Sequence, residues 1–300
     1  MQFLNSDKMN VDFVGKRRLF IMISAIAILI GMAALVVRGG LNYGIDFAGG
    51  TMVQVRFAKD LNSDQIRTAL AEIDMGDASI QQFEGEATHE FLIRVEKSQT
   101  NLVGLSDEIK VVLDKAFGAE NVDIRRVEMV GPKVGKDLRR QGMLAIIYAM
   151  IGILIYVTFR FELRFAVGAI VALVHDVAIT VGVFALLDKE FSLPIVAALL
   201  AIVGYSLNDT IVVYDRIREN MKGSGKSVFL EMINRSINQT LSRTILTSLT
   251  TMLVLVSLFF LGGGVIHDFA FAMIIGVFVG TYSSIFIASP VVILMQPKKK

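Results

Sequence analysis

The chain has 300 residues, no cysteine, three histidines far apart in sequence and a formal net charge of +2. It is 54% hydrophobic and 19% charged, with mean hydropathy +0.60, whereas a soluble domain is about 45–50% apolar with about a quarter of its residues charged. This composition indicates an integral membrane protein with a sizeable polar part, and it excludes disulfides, thiolate metal sites and thiol catalysis. No metal-ligand spacing links His89, His175 and His267, so no metal site is expected.

Residues 1–18 form a short polar start ending in Lys16, Arg17 and Arg18. The apolar run 19–37 follows. It is too long for the core of a cleavable signal peptide, and no small-x-small site closes it, so it reads as a first span. Residues 38–140 are polar enough to make a domain of their own. In it, 52–57 alternates like a strand, Asn62 or Ser63 can cap a helix reaching about Asp74, and 78–83 and 90–95 read as strands. An amphipathic helix follows at 102–117, with Leu102, Leu105, Ile109, Val112, Leu113 and Ala116 on one side, and 122–130 is a last strand. The order βαββαβ is the ferredoxin-like pattern. No catalytic cluster stands out there. A small open sheet could bind an extended chain by strand addition, or serve as a spacer or docking module.

Further apolar runs at 143–159, 165–187, 193–213, 245–261 and 269–295 bring the spans to six. The expected fold class is a polytopic α-helical membrane protein. Six transmembrane helices carry one outer α+β domain, with residues 141–295 holding spans two to six. With the N-terminus inside, the inside segments, including the basic tail 296–300, hold fifteen Lys and Arg, and the two short outer loops hold only Lys189. That bias puts both termini in the cytoplasm and, by parity, 38–140 outside.

Asp209 stands inside the fourth run. A carboxylate at the centre of a span costs about 2.5–3.5 kcal/mol on insertion scales and usually marks a proton, ion or substrate path. Ala197, Ala201, Tyr205 and Asp209 share one helical stripe, and Gly168, Ala172, Asp176 and Thr180 share another. Small neighbours let helices approach, so both carboxylates are expected to face protein. Arg243, about one turn into a fifth span beginning near Gln239, is the expected counter-charge at matching depth. Pairing favours an ionised carboxylate and desolvation opposes it, so a group balanced between them can exchange a proton. Thr244, Thr247, Ser248 and Thr251 continue a hydroxyl face beside Arg243.

The blander readings are that Arg243 snorkels at the membrane edge, that Asp209 with Asn208 is a static hydrogen-bond pair, and that His175 and Asp176 are structural. The proton-coupling candidates are Asp209, Arg243, Asp176, His175 and Asn208. In the sixth run Ala272, Gly276, Gly280, Ser284 and Ala288 fall four apart, a small-residue stripe whose default role is helix packing. The segment Gly223-Ser224-Gly225-Lys226-Ser227 imitates a phosphate loop, but Asn220 stands where its first glycine belongs and no strand precedes it. Neither intramembrane aspartate sits in the Gly-x-Gly-Asp context of an aspartyl protease.

Three motifs fall in order along the chain: Gly44-Ile45-Asp46-Phe47-Ala48-Gly49-Gly50-Thr51, Val174-His175-Asp176-Val177, and Gly204-Tyr205-Ser206-Leu207-Asn208-Asp209-Thr210 running on to Asn220. They resemble the SecD/SecF protein-export family, the last two its SecF side, over nearly the whole chain. The resemblance implies half of an RND-type transporter that pairs with a separate SecD chain, meets the SecYEG channel, and has YajC and YidC as further candidate partners. It implies unfolded preproteins as substrates in the bacterial cytoplasmic membrane, among membrane lipid and without nucleic acid. It implies no cofactor and no catalytic or ATPase site, with H+ as the coupling ion, or Na+ as in some relatives. Asp209 matches the family's proton-carrying aspartate and Arg243 its partner arginine, while Gly44, Asp46, Gly49 and Gly50 carry the signature at the start of the outer domain. The alternatives are half of an RND-type exporter of small molecules or lipids, and a structural scaffold subunit for SecD.

Overall fold

A computed structural model describes residues 11–82, 89–95, 104–221 and 229–296. In chain order the elements are α1 (Arg17–Val37), α2 (Ile45–Ala48), β1 (Gly50–Phe57), α3 (Ser63–Leu70), β2 (Ser79–Gln82), β3 (Glu90–Val95), α4 (Leu105–Phe117), β4 (Val122–Val130), α5 (Pro132–Arg160), α6 (Leu163–Leu187), α7 (Leu193–Met221), α8 (Phe229–Leu261), α9 (Gly263–Ser283) and α10 (Ser289–Leu294). Two compact units result. One gathers the described residues of Met1–Asn42, Leu144–Glu190 and Pro194–Lys300, and the other holds Tyr43–Met143 with Phe191–Leu193.

Six helices are long and apolar enough to cross a membrane: α1, α5, α6, α7, α8 and the run Gly263–Leu294 that joins α9 to α10. Several overrun the apolar stretches that announced them. α5 begins at Pro132 rather than at 143, and α8 at Phe229 rather than near Gln239. Hydropathy marks only the apolar part of a helix, whereas the hydrogen-bond ladder continues as long as each added residue adds a bond. The imitation phosphate loop 223–227 and Leu102 lie outside the described residues.

Inside the helical unit, glycine permits the close crossings. A Cβ at Gly31 of α1 would lie 2.7 Å from the Gly182 Cα of α6, so these two backbones are in direct contact. On α9 the faces of Gly276 and Gly280 meet Ile202 and Ser206 of α7, with a Gly280 Cβ falling 2.9 Å from the Ser206 Cβ. The stripe Ala272, Gly276, Gly280, Ser284 and Ala288 is buried within this chain, so it packs internally. Between α9 and α10 the helix widens to a π turn at Ser284–Ala288. Pro290 follows and has no N–H to give the preceding turn. The Ser289 hydroxyl donates back to the Ser284 carbonyl (3.0 Å), and the Tyr214 hydroxyl of α7 to the Ala288 carbonyl (3.2 Å). Tyr214 reaches that carbonyl beside Gly168, where a side chain would collide with its hydroxyl.

The second unit carries an antiparallel sheet in the order β2-β3-β1-β4. With α3 and α4 between strands, the connectivity is the βαββαβ read from the sequence. Val53, Val55 and Phe57 alternate toward the core, where Ile66, Leu70, Ile109 and Leu113 of the two helices meet them and Phe91 packs 5.7 Å from Phe57. Gln54 and Arg56 point the other way. Ala116, expected on the apolar side of α4, is exposed, and Phe117 packs against the core instead. The Asn62 side chain accepts from the Gln65 N–H while Gln65 accepts from the Asn62 N–H, both at 2.9 Å. This reciprocal cap holds the start of α3. Asn62→Ala is expected to lower the local stability of α3 by about 1 kcal/mol, read as faster hydrogen exchange of the 63–70 amides in the intact protein, with Asn62→Asp close to wild type.

Candidate functional site

Two carboxylates are buried in the helical unit, Asp176 at 0% and Asp209 at 1% exposure. They differ in how many donors they have found. Asp176 lies on α6. Its Oδ1 accepts from His175 Nδ1 at 2.8 Å, and its Oδ2 accepts from Ser206 Oγ of α7 at 2.5 Å and Ser283 Oγ of α9 at 2.8 Å. Three short bonds leave this buried carboxyl group well satisfied. The network continues outward. His175 Nε2 lies 3.0 Å from Ser24 Oγ on α1, Ser24 lies 2.9 Å from the Tyr282 hydroxyl, and Tyr282 donates to the Phe20 carbonyl at 2.6 Å. The imidazole also stacks on the Tyr282 ring, 20° between planes. Helices α1, α6, α7 and α9 are thereby tied at one polar knot.

Asp209, on α7, is held loosely. Ser248 Oγ of α8 and Thr281 Oγ1 of α9 approach its Oδ2 at 3.4 Å each, near the outer limit for a hydrogen bond. The two hydroxyls are 2.7 Å from each other, and Thr281 also donates to the Val277 carbonyl at 2.8 Å. Each has one hydrogen to give, so little is left for the carboxylate. Arg243, the expected counter-charge, is exposed at the side of α8, and no nitrogen of it comes within 4.0 Å of Asp209 among the described residues. Asn208 is exposed and makes no side-chain hydrogen bond among the described residues, so it is no static partner of Asp209. Ala197 and Ala201 are also exposed. The buried face of α7 is instead Ile195, Leu199, Ile202, Ser206, Val213 and Ile217, and Asp209 sits where that face meets the open one. The correction is one of helical phase, because a four-residue spacing drifts around the helix and places Ala197 far from Asp209 in angle. Close by in sequence, the hydroxyls of Tyr205, Thr210 and Thr244 are buried without a partner in the structure.

The two sites share helices without touching. Ser206 and Asp209 are one turn apart on α7, and Thr281 and Ser283 lie two residues apart on α9. Of the hydroxyl face proposed for α8, Ser248 reaches the carboxylate, while Thr247 donates to its own helix backbone. Sequence reading did not find Ser24, Thr281, Tyr282 or Ser283. Their only signal is a hydroxyl in an otherwise apolar run, which is common where nothing functional happens. Of the signature residues, Gly44 precedes α2, and Gly49 and Gly50 have φ of +83° and +127°. Asp46 accepts from the Leu193 N–H at 2.8 Å.

A family model described as protein export membrane protein SecD/SecF, C-terminal, matches residues 110–298, and one for the SecD/SecF GG motif matches residues 33–60. The chain belongs to the SecD/SecF family. The protein translocase subunit SecF of Magnetococcus marinus is 54% identical over 289 residues, covering 95% of this chain and 92% of the relative. That of Calditerrivibrio nitroreducens is 48% identical over 303 residues, covering 100% and 98%. The crystal structure of SecDF, a translocon-associated membrane protein, from Thermus thermophilus superposes with a TM-score of 0.85 at 42% identity, covering 96% of this chain and 39% of that one. A structure of SecDF in a super-membrane-facing form, at the same identity and coverage, gives a TM-score of 0.68.

The unequal donor counts make a measurable difference. Ser206→Ala or Ser283→Ala is expected to cost about 1–2 kcal/mol, and Thr281→Ala less than about 0.5 kcal/mol. The midpoint of thermal unfolding of the detergent-purified protein is the readout. Equal losses at the three positions would contradict the contrast between the two carboxylates.

Proposed function

We propose that this chain is the six-span subunit of an accessory complex for protein export in the bacterial cytoplasmic membrane, and that a proton entering at Asp209 drives it. The observation that carries this reading is the loose hold on Asp209, buried with two 3.4 Å hydroxyl contacts and, among the described residues, no cation within 4.0 Å. Burying a charge so poorly paired is costly, and taking up a proton removes the cost. Asp176, saturated with donors, is the fixed group of the two.

Protonation releases Ser248 and Thr281 from Asp209, and α8 and α9 repack against α7. The transmembrane potential supplies about 2.3 kcal/mol per charge per 100 mV, comparable with the gap between two packings of one bundle. That SecDF relatives of one identity superpose at TM-scores of 0.85 and 0.68 supports a fold with more than one arrangement. The work is done on an unfolded preprotein on the far side of the membrane, by the sheet domain, without a catalytic or nucleotide-hydrolysing site in this chain. The SecDF of Thermus thermophilus is 43% identical to this chain over 39% of its own length, which supports a SecD-type partner. The channel served is SecYEG. The exposed Arg243 lies on an open side of α8, available to that partner and to Asp209. The excess of Lys and Arg in the inside segments supports cytoplasmic termini.

In cells depleted of their own SecF-type subunit, the wild-type chain is expected to restore export of a signal-bearing reporter. Asp209→Asn is expected to co-purify with the SecD-type chain at normal membrane level yet lose most of that restoration. Full restoration by Asp209→Asn would refute proton entry at this residue. Running the assay in inverted vesicles with either a pH gradient or a sodium gradient separates H+ from Na+ as the ion. Arg243→Ala is expected to lower export in the wild-type background and to add nothing in the Asp209→Asn background. Additive losses would assign Arg243 to a separate task.

A further inference from the structure

The signature segment 43–50 does more than turn the chain. All of its contacts here lie within the unit formed by Tyr43–Met143 and Phe191–Leu193. The Gly44 N–H donates to the Phe191 carbonyl at 2.9 Å, and Tyr43 bridges to Phe191 in parallel. The rings of Tyr43, Phe47 and Phe191 pack edge to face or tilted, and the Arg139 guanidinium lies 5.0 Å from the Tyr43 ring centre. Asp46 Oδ2 then accepts the N–H of Leu193, the first residue of α7, at 2.8 Å. A helix start leaves such N–H groups without partners. A carboxylate there also meets the positive end of the helix dipole. Pro194 follows and offers no N–H, which makes the Leu193 amide the first available handle on α7. Asp46 is therefore an N-cap supplied from a distant part of the chain.

The same segment grips a second helix. A Cβ at Gly49 would lie 2.9 Å from the Pro132 Cα, and one at Gly135 would lie 3.0 Å from the Phe47 carbonyl oxygen, so α2 and the first turn of α5 touch backbone to backbone. Gly49 also holds a φ of +83° that a side chain rarely adopts. The next residue, Gly50, opens β1, the strand paired on both sides, with β3 and with β4. Within eight residues the central strand is bound to the first turn of α5 and the first residue of α7, the helix that carries Asp209.

We propose that segment 43–50 is the linkage that delivers a displacement of α7 to the central strand β1, with Asp46 as its positioning residue. This rests on the reading that Asp209 moves α7, but the linkage has a test of its own. Hydrogen exchange is measured on the full-length protein in complex with its SecD-type partner, for wild type, Asp46→Ala, Asp46→Asn, Asp209→Asn and the Asp46→Ala, Asp209→Asn double variant. Asp46→Ala alone should speed exchange about fivefold, as loss of an N-cap does, in 193–200 and in the β1 amides 51–57 together. Asp46→Asn, which keeps an acceptor oxygen, should restore most of both. If Asp46→Ala loosens 193–200 and leaves 51–57 unchanged, the linkage is wrong, whatever Asp209 does. Asp209→Asn should alter exchange in α7 and in 51–57. Measured against Asp46→Ala alone, adding Asp209→Asn should still alter exchange in α7 but should add no further change in 51–57. An undiminished 51–57 change would overturn the proposal. If Asp209→Asn alters nothing in α7 while Asp46→Ala loosens both segments, the linkage stands and the Asp209 reading falls. Export should drop at least fivefold with Asp46→Ala at normal membrane level, and recover with Asp46→Asn.

Discussion

Where α6, α7 and α9 meet, a buried carboxyl group has to find its hydrogen-bond partners within the protein. Asp176 takes three, one from a neighbour on its own helix and one from each of two others, and the arrangement of the bundle follows from that. Ser206 can reach it because Gly280 lets α7 and α9 come within backbone distance. Ser283 can reach it because the chain has not yet entered the π turn that begins at Ser284. A π turn shifts the phase of everything after it. The hydroxyl of Tyr214 then occupies the space beside Gly168 and takes up the Ala288 carbonyl on that turn. Small residues, the polar knot and the helical irregularity are thus one solution to one problem, the satisfaction of a buried carboxyl group inside an apolar bundle.

Asp209 shows the same constraint left unsolved. It stands one turn from Ser206 on the same helix, yet its hydroxyl neighbours stop at 3.4 Å and spend hydrogens on each other and on the backbone. A bundle that builds three short bonds to one carboxylate is capable of building them to a second. That it does not is the physical basis for assigning the labile role to Asp209 and the fixed role to Asp176, two residues that look alike by burial. Asn208, its neighbour on α7, and Arg243 on α8 are both exposed, whereas Asp209 itself is buried.

Sequence patterns carried the architecture because they depend on short-range rules. Six apolar runs of spanning length, strand alternation at 52–57 and 90–95, and a cap at Asn62 each state their own structure. What they could not state is which residues from different helices meet. Arg243 and Asp209 match in depth, but depth is one coordinate. The guanidinium is exposed and, among the described residues, makes no direct ion pair with Asp209, although its charge acts on that carboxylate, while Ser248, a little over one turn later, is the residue of α8 that comes within 3.4 Å. Ser24, Thr281, Tyr282 and Ser283 were invisible for the same reason, since a hydroxyl in a span becomes informative only when its neighbour across the helix is known. The stripe containing Gly276 and Gly280 was legible as packing, while its partner, Ile202 and Ser206 of this same chain, was not.

The signature at 43–50 was visible as a motif and opaque as a mechanism. Its glycines are explained by the positive φ at Gly49 and the approach of Pro132, which no side chain tolerates. Its aspartate is explained only when Leu193, 147 residues away in sequence, is brought beside it. A cap supplied from within α7 would hold that helix and nothing else. A cap supplied from the segment that leads into the central strand makes the helix start and that strand parts of one hydrogen-bonded object. One bond of this kind is weak against the forces that fold a bundle. Its neighbours, the Gly44 to Phe191 bond and the backbone contact at Gly135, prevent it from rotating free. Such an arrangement is suited to carrying small axial shifts of α7, of the size a repacking around one carboxylate can produce.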